Sequence, residues 1–307
     1  MLKLLRANFR LLIRFKLFYI AFLLNTALSI LVSHMYGVMN QDIARAVFVI
    51  FEPMMCSAFI ALFIGREHSS GTLRNKIAYG HTKTKVYLSY LITCIPAVLV
   101  IIVPGLIIFG VSQKDFFSVY NTGLPILMFF GFVFAEIAIC SLCVAVAFNV
   151  SVRAVSVVIC VFMVLVGYFT ASMIEDMLRE RPTTYEYVYG KGDYEIIDAI
   201  EVPNPHYIEG TNRIILSKVL DFIPHGQINQ YYIGLDSAYR CWYEFTVLIQ
   251  RPERQVDYDL YTVQACYFKD NEVVKRDFEY MFFLNQFILI GVSTLIGLAL
   301  FKKKNLK

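Results

Sequence analysis

The chain reads as an α-helical integral membrane protein with six transmembrane helices, an N-terminal amphipathic interfacial helix and an α+β extracellular domain between spans five and six. Three observations predict this fold class. Of 307 residues, 58% are hydrophobic and 17% are charged, too apolar for a soluble domain of that length. Six hydrophobic windows, about 17–35, 47–64, 87–111, 124–148, 154–174 and 280–301, match the ~20 residues that cross ~30 Å of hydrocarbon. A polar, tyrosine-rich stretch, 175–279, separates the fifth window from the sixth.

The first region, 1–174, carries the interfacial helix and spans one to five. Lys3, Arg6, Arg10 and Arg14 recur at helical spacing, with Leu2, Leu5, Phe9, Leu12 and Ile13 on the other side. Residues 2–15 therefore read as a helix lying on the membrane surface, and the alternative is a merely basic tail that sets topology. The charged part is too long for a cleavable signal, and the hydrophobic run behind it has full membrane length.

Between windows two and three stands Gly65–Tyr87, GREHSSGTLRNKIAYGHTKTKVY, a basic island with more content than a turn. It predicts a short helix over Thr72–Tyr79, within 69–80, with Ser69 or Ser70 as N-cap and Gly80 as stop. A helix held at the membrane surface between two spans is suited to receive force from a soluble partner. The third window contains Pro96 and Pro104, which a membrane helix tolerates when neighbours or water satisfy the freed carbonyls.

Charge sets the orientation. The N-terminal segment, the 65–85 loop, Arg153 and the tail 302–307 together hold 15 Lys and Arg against one acid, Glu67. The two opposite loops hold only Arg45 and Lys114. The positive-inside rule then places both termini in the cytoplasm, in agreement with an even number of spans. The 175–279 segment, with 19 acids and 11 bases, falls outside. Basic residues spread along a membrane face, not gathered in a folded domain, give no support to nucleic-acid binding.

Twelve of the 20 Tyr and the one Trp, Trp242, lie in 175–279. Tyr185–Tyr189 alternates as a strand does, Trp242–Gln250 and Tyr258–Phe268 have strand composition, and Thr211–Ile223 keeps a helical period. Five Cys fall in the windows and read as small apolar residues. Cys241 and Cys266 lie outside them, equidistant from a turn at Arg251–Gln255, and read as a disulfide across a hairpin or as two buried thiols. The last region, 280–307, is the sixth span and a basic tail.

Two acids lie within the hydrophobic windows, Glu52 before Pro53 and Glu136 near the middle of the fourth. A carboxylate in hydrocarbon costs several kcal/mol, so each faces protein or a water-filled path. Each reads as a path-lining residue or as a hydrogen-bonded link between helices. The sequence contains no phosphate-binding loop, no zinc-ligand spacing among its five His, and no triad or paired-carboxylate pattern. The expectation is a chain that is not an enzyme and holds no cofactor itself.

The run Glu67-His-Ser-Ser-Gly-Thr-Leu-Arg-Asn-Lys76, followed by Gly80 and Thr82–Ser89, resembles the signature of type-2 ABC-transporter permeases. The ending Phe301-Lys-Lys-Lys-Asn-Leu-Lys307 is similar to theirs too, though an acid often stands where this chain has Asn305. The resemblance implies a permease subunit in a bacterial plasma membrane. It would be paired with a second copy or a related chain and driven by two cytoplasmic ATPase subunits that bind ATP and Mg. Glu67, Gly71, Thr72, Leu73, Arg74, Asn75, Lys76 and Gly80 become the ATPase-coupling segment, with Arg74 and Lys76 against acids of the ATPase. The external domain departs from many members of the family. Within it, Asn204–Thr211 and Asp221–Gln227 resemble segments of permeases from Gram-positive bacteria. Together with its aromatic content, this favours export of a hydrophobic or amphipathic peptide, with lipids, glycans and small drugs as the alternative cargoes. The competing classes are a membrane-anchored receptor or sensor with an extracellular ligand-binding domain, and an intramembrane enzyme.

Overall fold

The computed structural model describes residues 1–35, 50–112, 123–180, 182–189, 196–226, 228, 266–269, 272–275 and 281–304. In order these form α1 (Leu2–Ile13), α2 (Lys16–Met35), α3 (Glu52–Ser69), α4 (Thr72–Ala78), α5 (Lys83–Ser112), α6 (Gly123–Asn149) and α7 (Arg153–Arg179). There follow β1 (Thr183–Tyr189), β2 (Ile196–Pro203), α8 (Gly210–Phe222), β3 (Cys266–Lys269), β4 (Glu272–Lys275) and α9 (Met281–Lys303).

Five of these helices are long and apolar enough to cross a membrane: α2, α5, α6, α7 and α9. The chain is thus a multi-pass α-helical membrane protein in character. The expected second span, 47–64, is the exception. Its first residues lie outside the described part, and the described helix α3 has 18 residues with Glu52, Arg66 and Glu67 among them. That charge load keeps it below the standard the other five meet. It is nonetheless the most enclosed helix, with Ile60, Ala61, Phe63 and Ile64 wholly buried against its neighbours. Only a helix shielded by others can carry so many polar groups at these positions.

The helix faces follow from period. In α2 the buried residues Ala21, Asn25, Ser29 and Val32 recur every three or four positions, while Ile20, Leu23, Leu24, Ile30 and Leu31 are exposed. In α1 the buried line is Leu4, Asn8 and Leu12, continued by Phe15, whereas Leu2 and Ile13 point away from the bundle. The docked ridge of α1 is therefore rotated from the apolar face expected from sequence, because a polar residue, Asn8, belongs to it. Helix α5 runs through Pro96 and Pro104 without ending. Near the second of these, the Ile101 carbonyl accepts a hydrogen bond from Asn25 Nδ2 at 2.8 Å.

Helices α6 and α9 run parallel. Phe134 meets Phe287 with ring centroids 4.9 Å apart, Ser141 Oγ lies 2.7 Å from Ser293 Oγ, and Asn149 Nδ2 donates to the Gly297 carbonyl at 3.1 Å. Residue numbers rise together along the seam, so α7 and the segment after it must carry the chain back to the starting end. Among the described residues, the C-termini of α6 and α9 share the opposite end with the start of α5. Lys304 Nζ donates to the carbonyls of Phe148 and Asn149 at 2.9 and 3.1 Å, and Lys83 Nζ donates to those of Lys302 and Lys304 at 2.8 and 2.6 Å. These ammonium groups satisfy helix-end carbonyls where the helix dipole is negative.

Beyond the far end of α7, β1 pairs antiparallel with β2, with a bulge at Val188/Tyr189, and β3 pairs antiparallel with β4. Helix α8 is fixed to α7 by a small core of Ala171, Ile174, Leu178 and Leu220, and by Arg213 Nη2, which donates to the Leu178 carbonyl at 2.6 Å. The strand at Tyr185–Tyr189 and the helix after Thr211 stand where the sequence predicts them, and β2 was not foreseen. Trp242–Gln250, the Arg251–Gln255 turn and the Cys241–Cys266 pairing lie outside the described residues. The helical cysteines Cys56, Cys94, Cys140, Cys143 and Cys160 are buried and free.

The parallel seam tolerates no side chain at Gly297. A Cβ there would stand 2.6 Å from Ala145 Cβ and 2.9 Å from Ala145 Cα, whereas one at Gly291, on the same helix, meets nothing within 4 Å. Gly297→Ala is expected to cost about 1–3 kcal/mol, and Gly291→Ala close to nothing, as read by thermal unfolding in detergent.

Candidate functional site

The segment between α3 and α5 is built from two glycines. Gly71, at φ 68°, takes the left-handed turn that separates α3 from α4. Gly80, at φ 83°, closes α4: its N–H reaches the Ile77 carbonyl at 2.9 Å and the His81 N–H reaches that of Lys76 at 3.3 Å. This pair of bonds is a Schellman closure, which needs a residue free to adopt positive φ. The serines do not cap the helix as expected. Ser69 is still within α3 and its hydroxyl donates to the Gly65 carbonyl at 2.9 Å, so Gly71 takes the N-cap position with no side-chain bond.

Seven residues make two faces. Leu73, 1% exposed, and Lys76 and Ile77 turn toward the bundle, while Arg74, Asn75, Ala78 and Tyr79 turn away, Tyr79 at 85% exposure. Thr72 is half-buried at the N-terminus, and Gly80 is exposed. Of the expected coupling residues, then, Arg74, Asn75 and Gly80 are presented outward, and Glu67, Leu73 and Lys76 are turned inward.

The inward residues meet in one network. Lys76 Nζ donates to Glu67 Oε2 at 3.0 Å, to Asn8 Oδ1 at 3.0 Å and to the Tyr90 hydroxyl. Tyr90 in turn donates to Glu67 Oε2, and its ring lies 4.4 Å from the ammonium. Asn8 Nδ2 donates to Ser89 Oγ at 2.9 Å, and Ser89 Oγ donates to the Val86 carbonyl at 2.7 Å. Glu67, Asn8, Ser89 and Tyr90 are buried. The charges cancel and these polar side chains find partners, the condition under which a buried ion pair is tolerated. Four elements, α1, α3, α4 and α5, are pinned through it.

Around this core the same end is closed by further contacts. Gly65 lies against Arg153, so close that a Cβ would stand 2.8 Å from Arg153 Cγ. His68 packs edge-on to Phe148 with centroids 6.4 Å apart. Burial, and next the nearby Lys304 charge, push its imidazole below the ordinary value, so the ring is neutral at neutral pH.

The two acids of the spans sit away from this network. Glu52 Oε1 accepts from Asn25 Nδ2 at 3.0 Å, and Ser29 Oγ donates to the Asn25 carbonyl at 2.8 Å. Gly105 lets the knot close, since a Cβ there would stand 2.7 Å from Ser29 Oγ. Glu52 Oε2 and both carboxylate oxygens of Glu136 are buried without a hydrogen-bond partner among the described residues. Glu52 is thus a link between α2, α3 and α5, and Glu136 is the carboxyl with capacity to spare.

Sequence reading missed Asn8, Asn25, Ser29, Ser89 and Tyr90. A signal existed for three of them: Asn8 interrupts an otherwise apolar ridge, and Asn25 and Ser29 stand four apart on one face of a span. Among the described residues no group of His, Cys, Asp or Glu is arranged to hold a metal ion. No protein-family model matches this chain, and no curated protein matches it either.

The ion pair yields a test. Lys76→Met, which leaves the buried Glu67 charge alone, is expected to cost about 3–5 kcal/mol, and Glu67→Gln, which leaves the part-exposed Lys76, less. The double substitution should cost less than the sum of the two, because no lone charge remains. Unfolding of the four proteins in detergent, compared as a double-mutant cycle, measures the coupling.

Proposed function

We propose that the chain is the transmembrane permease subunit of an ATP-driven ABC exporter, with α4 as the helix that receives force from a separate cytoplasmic ATPase. The observation that carries this reading is the division of α4 into a clamped inner face and an open outer face. A docking element must be stiff toward the membrane and accessible toward its partner. Leu73 and Lys76 anchor it inward, and Arg74, Asn75 and Tyr79 are exposed together at its outer surface. The sequence signature at Glu67–Lys76 supports the same assignment. Glu67 and Lys76 then act within this chain as the clamp, and Arg74 is the charge offered to acids of the ATPase.

This end, with both termini, would be cytoplasmic, a reading that the positive-inside rule supports, and the sequence resemblance supports a bacterial plasma membrane. ATP and Mg belong to the partner. Two permease chains, identical or related, would enclose the path, with Glu136 facing it. The cargo best matched to the aromatic external segment is a hydrophobic or amphipathic peptide. Closure of the ATPase pair would push α4, and the clamp would pass that displacement to α1, α3 and α5 together, because all three are bonded to it.

The tagged chain, purified from its own membranes, should retain an ATPase whose hydrolysis changes on assembly. Arg74→Glu and Tyr79→Ala, both on the exposed face, should lower ATPase retention by roughly tenfold with unchanged thermal stability. Labelling of Asn75→Cys by a membrane-impermeant reagent in intact cells would place α4 outside and overturn the reading.

A further inference from the structure

A cavity of about 590 Å³ lies among α6, α7, α8 and α9. Its wall is apolar, with Leu142 from α6, Met163 from α7, Ile215 and Val219 from α8, and Leu289 from α9. Two polar groups interrupt it. Lys218 stands at the surface, 62% exposed and 3.7 Å from Asp221 Oδ2. His225, 4% exposed, follows the Ile223–Pro224 turn and presses on α7 at Gly167, where a Cβ would stand 2.5 Å from His225 Nδ1.

Neither ring nitrogen of His225 has a hydrogen-bond partner among the described residues. Burial pushes this imidazole down to about 4, so at neutral pH it presents one N–H and one bare nitrogen. An unpaired buried polar group is costly, and a bound molecule with its own polar atom would relieve that cost. The volume lies within the range of sites that hold small ligands, which are mostly apolar with a few polar groups.

The surroundings select the occupant. Ile214 and Ile215 line the cavity and are 63% and 53% exposed. On either side run exposed apolar residues of two spans, Phe162, Val166 and Phe169 on α7 and Phe287, Ile288 and Val292 on α9. On a multi-pass protein such faces meet lipid, so the cavity is a recess in the lipid-facing surface. We propose that it is a lipid site, which takes an acyl chain of a bilayer glycerolipid against α8 and bonds an ester or hydroxyl oxygen to His225. Lys218, exposed beside the cavity and paired with Asp221, would meet the polar headgroup. This inference needs α6, α7 and α9 to cross the bilayer and α8 to lie at acyl-chain depth. Helix α8 and the turn after it pack along α7 from Leu178 to Gly167, and so are not wholly outside the membrane. It is independent of the transport reading.

The full chain in nanodiscs is irradiated with a phosphatidylglycerol that carries a diazirine in its acyl chain, and the adducts are mapped by mass spectrometry. Adducts should concentrate on 210–225 and 159–168 over the exposed face of α2. Val219→Trp, which fills the cavity, should lower those on 210–225 by roughly tenfold and leave those on α2 unchanged. Equal labelling of α2 and α8 in the unsubstituted protein would overturn the site, whether or not the variant folds. So would stronger labelling by a diazirine fatty acid, or loss of the label on addition of an amphipathic peptide. ATPase retention is unaffected by any of these outcomes, so failure here and failure of the transport reading are separable.

Discussion

A lysine drawn largely out of water into an apolar bundle needs partners, and the end of this protein that carries α4 is arranged around that constraint. Lys76 sits on a helix of seven residues, too short to be stable by itself. What holds it is its ammonium group, shared among Glu67, Asn8 and Tyr90. Each partner comes from a different helix, so the position of α1 on the bundle, the end of α3 and the first turns of α5 are set by one charge. Water outside and hydrocarbon nearby make this geometry strict: a displaced α4 would bury Glu67 unpaired.

The remainder of the bundle is held differently. In lipid, apolar side chains have little to gain by preferring one another to acyl chains, so close backbone approach and interhelical hydrogen bonds carry the association. Gly297 against Ala145, Gly105 against Ser29 and Gly65 against Arg153 are the places where a missing Cβ allows contact. The Ser141–Ser293 and Asn149–Gly297 hydrogen bonds fix the register of the parallel seam, and Lys83 and Lys304 fasten its C-terminal end. Buried share follows this plan. About half of the span residues are buried in α5 and α6, at 50% and 56%, against 22%, 22% and 17% in α2, α7 and α9. With α3, the first two are the centre, and the other three form the perimeter.

Much of this was legible in the sequence because it is local. Window length and composition located five spans to within a few residues, and glycine at 80 marked the end of α4. The failures share a cause, which is dependence on distant partners. Asn8 and Ser89 are bonded across 81 positions, and neither has a neighbour in sequence that announces the other. The apolar face expected of α1 was rotated for the same reason. Glu67 and Lys76 carry opposite charges nine positions apart, and only the reversal of the chain at Gly71 lets them meet. The serines after Gly65 had the composition of an N-cap, but α3 runs on through Ser69 and uses that hydroxyl itself.

The clamp also limits how any push on α4 can travel. Its contacts on α5 end at Tyr90, and Lys83 joins the same turns to α9, so the inner part of α5 is tied to both sets of helices. The outer part is held by a second knot, where Asn25 reaches Glu52 and the Ile101 carbonyl together. Between the two knots lies Pro96, and Pro104 lies beyond Ile101. A proline removes one backbone bond and strains the turn before it, so the helix is softest where neither knot grips it. In the transport reading, rotation of the inner end against the outer end has to occur near Pro96. The alternative is to break the Lys76–Glu67 pair, and an unpaired buried charge makes that the costlier route.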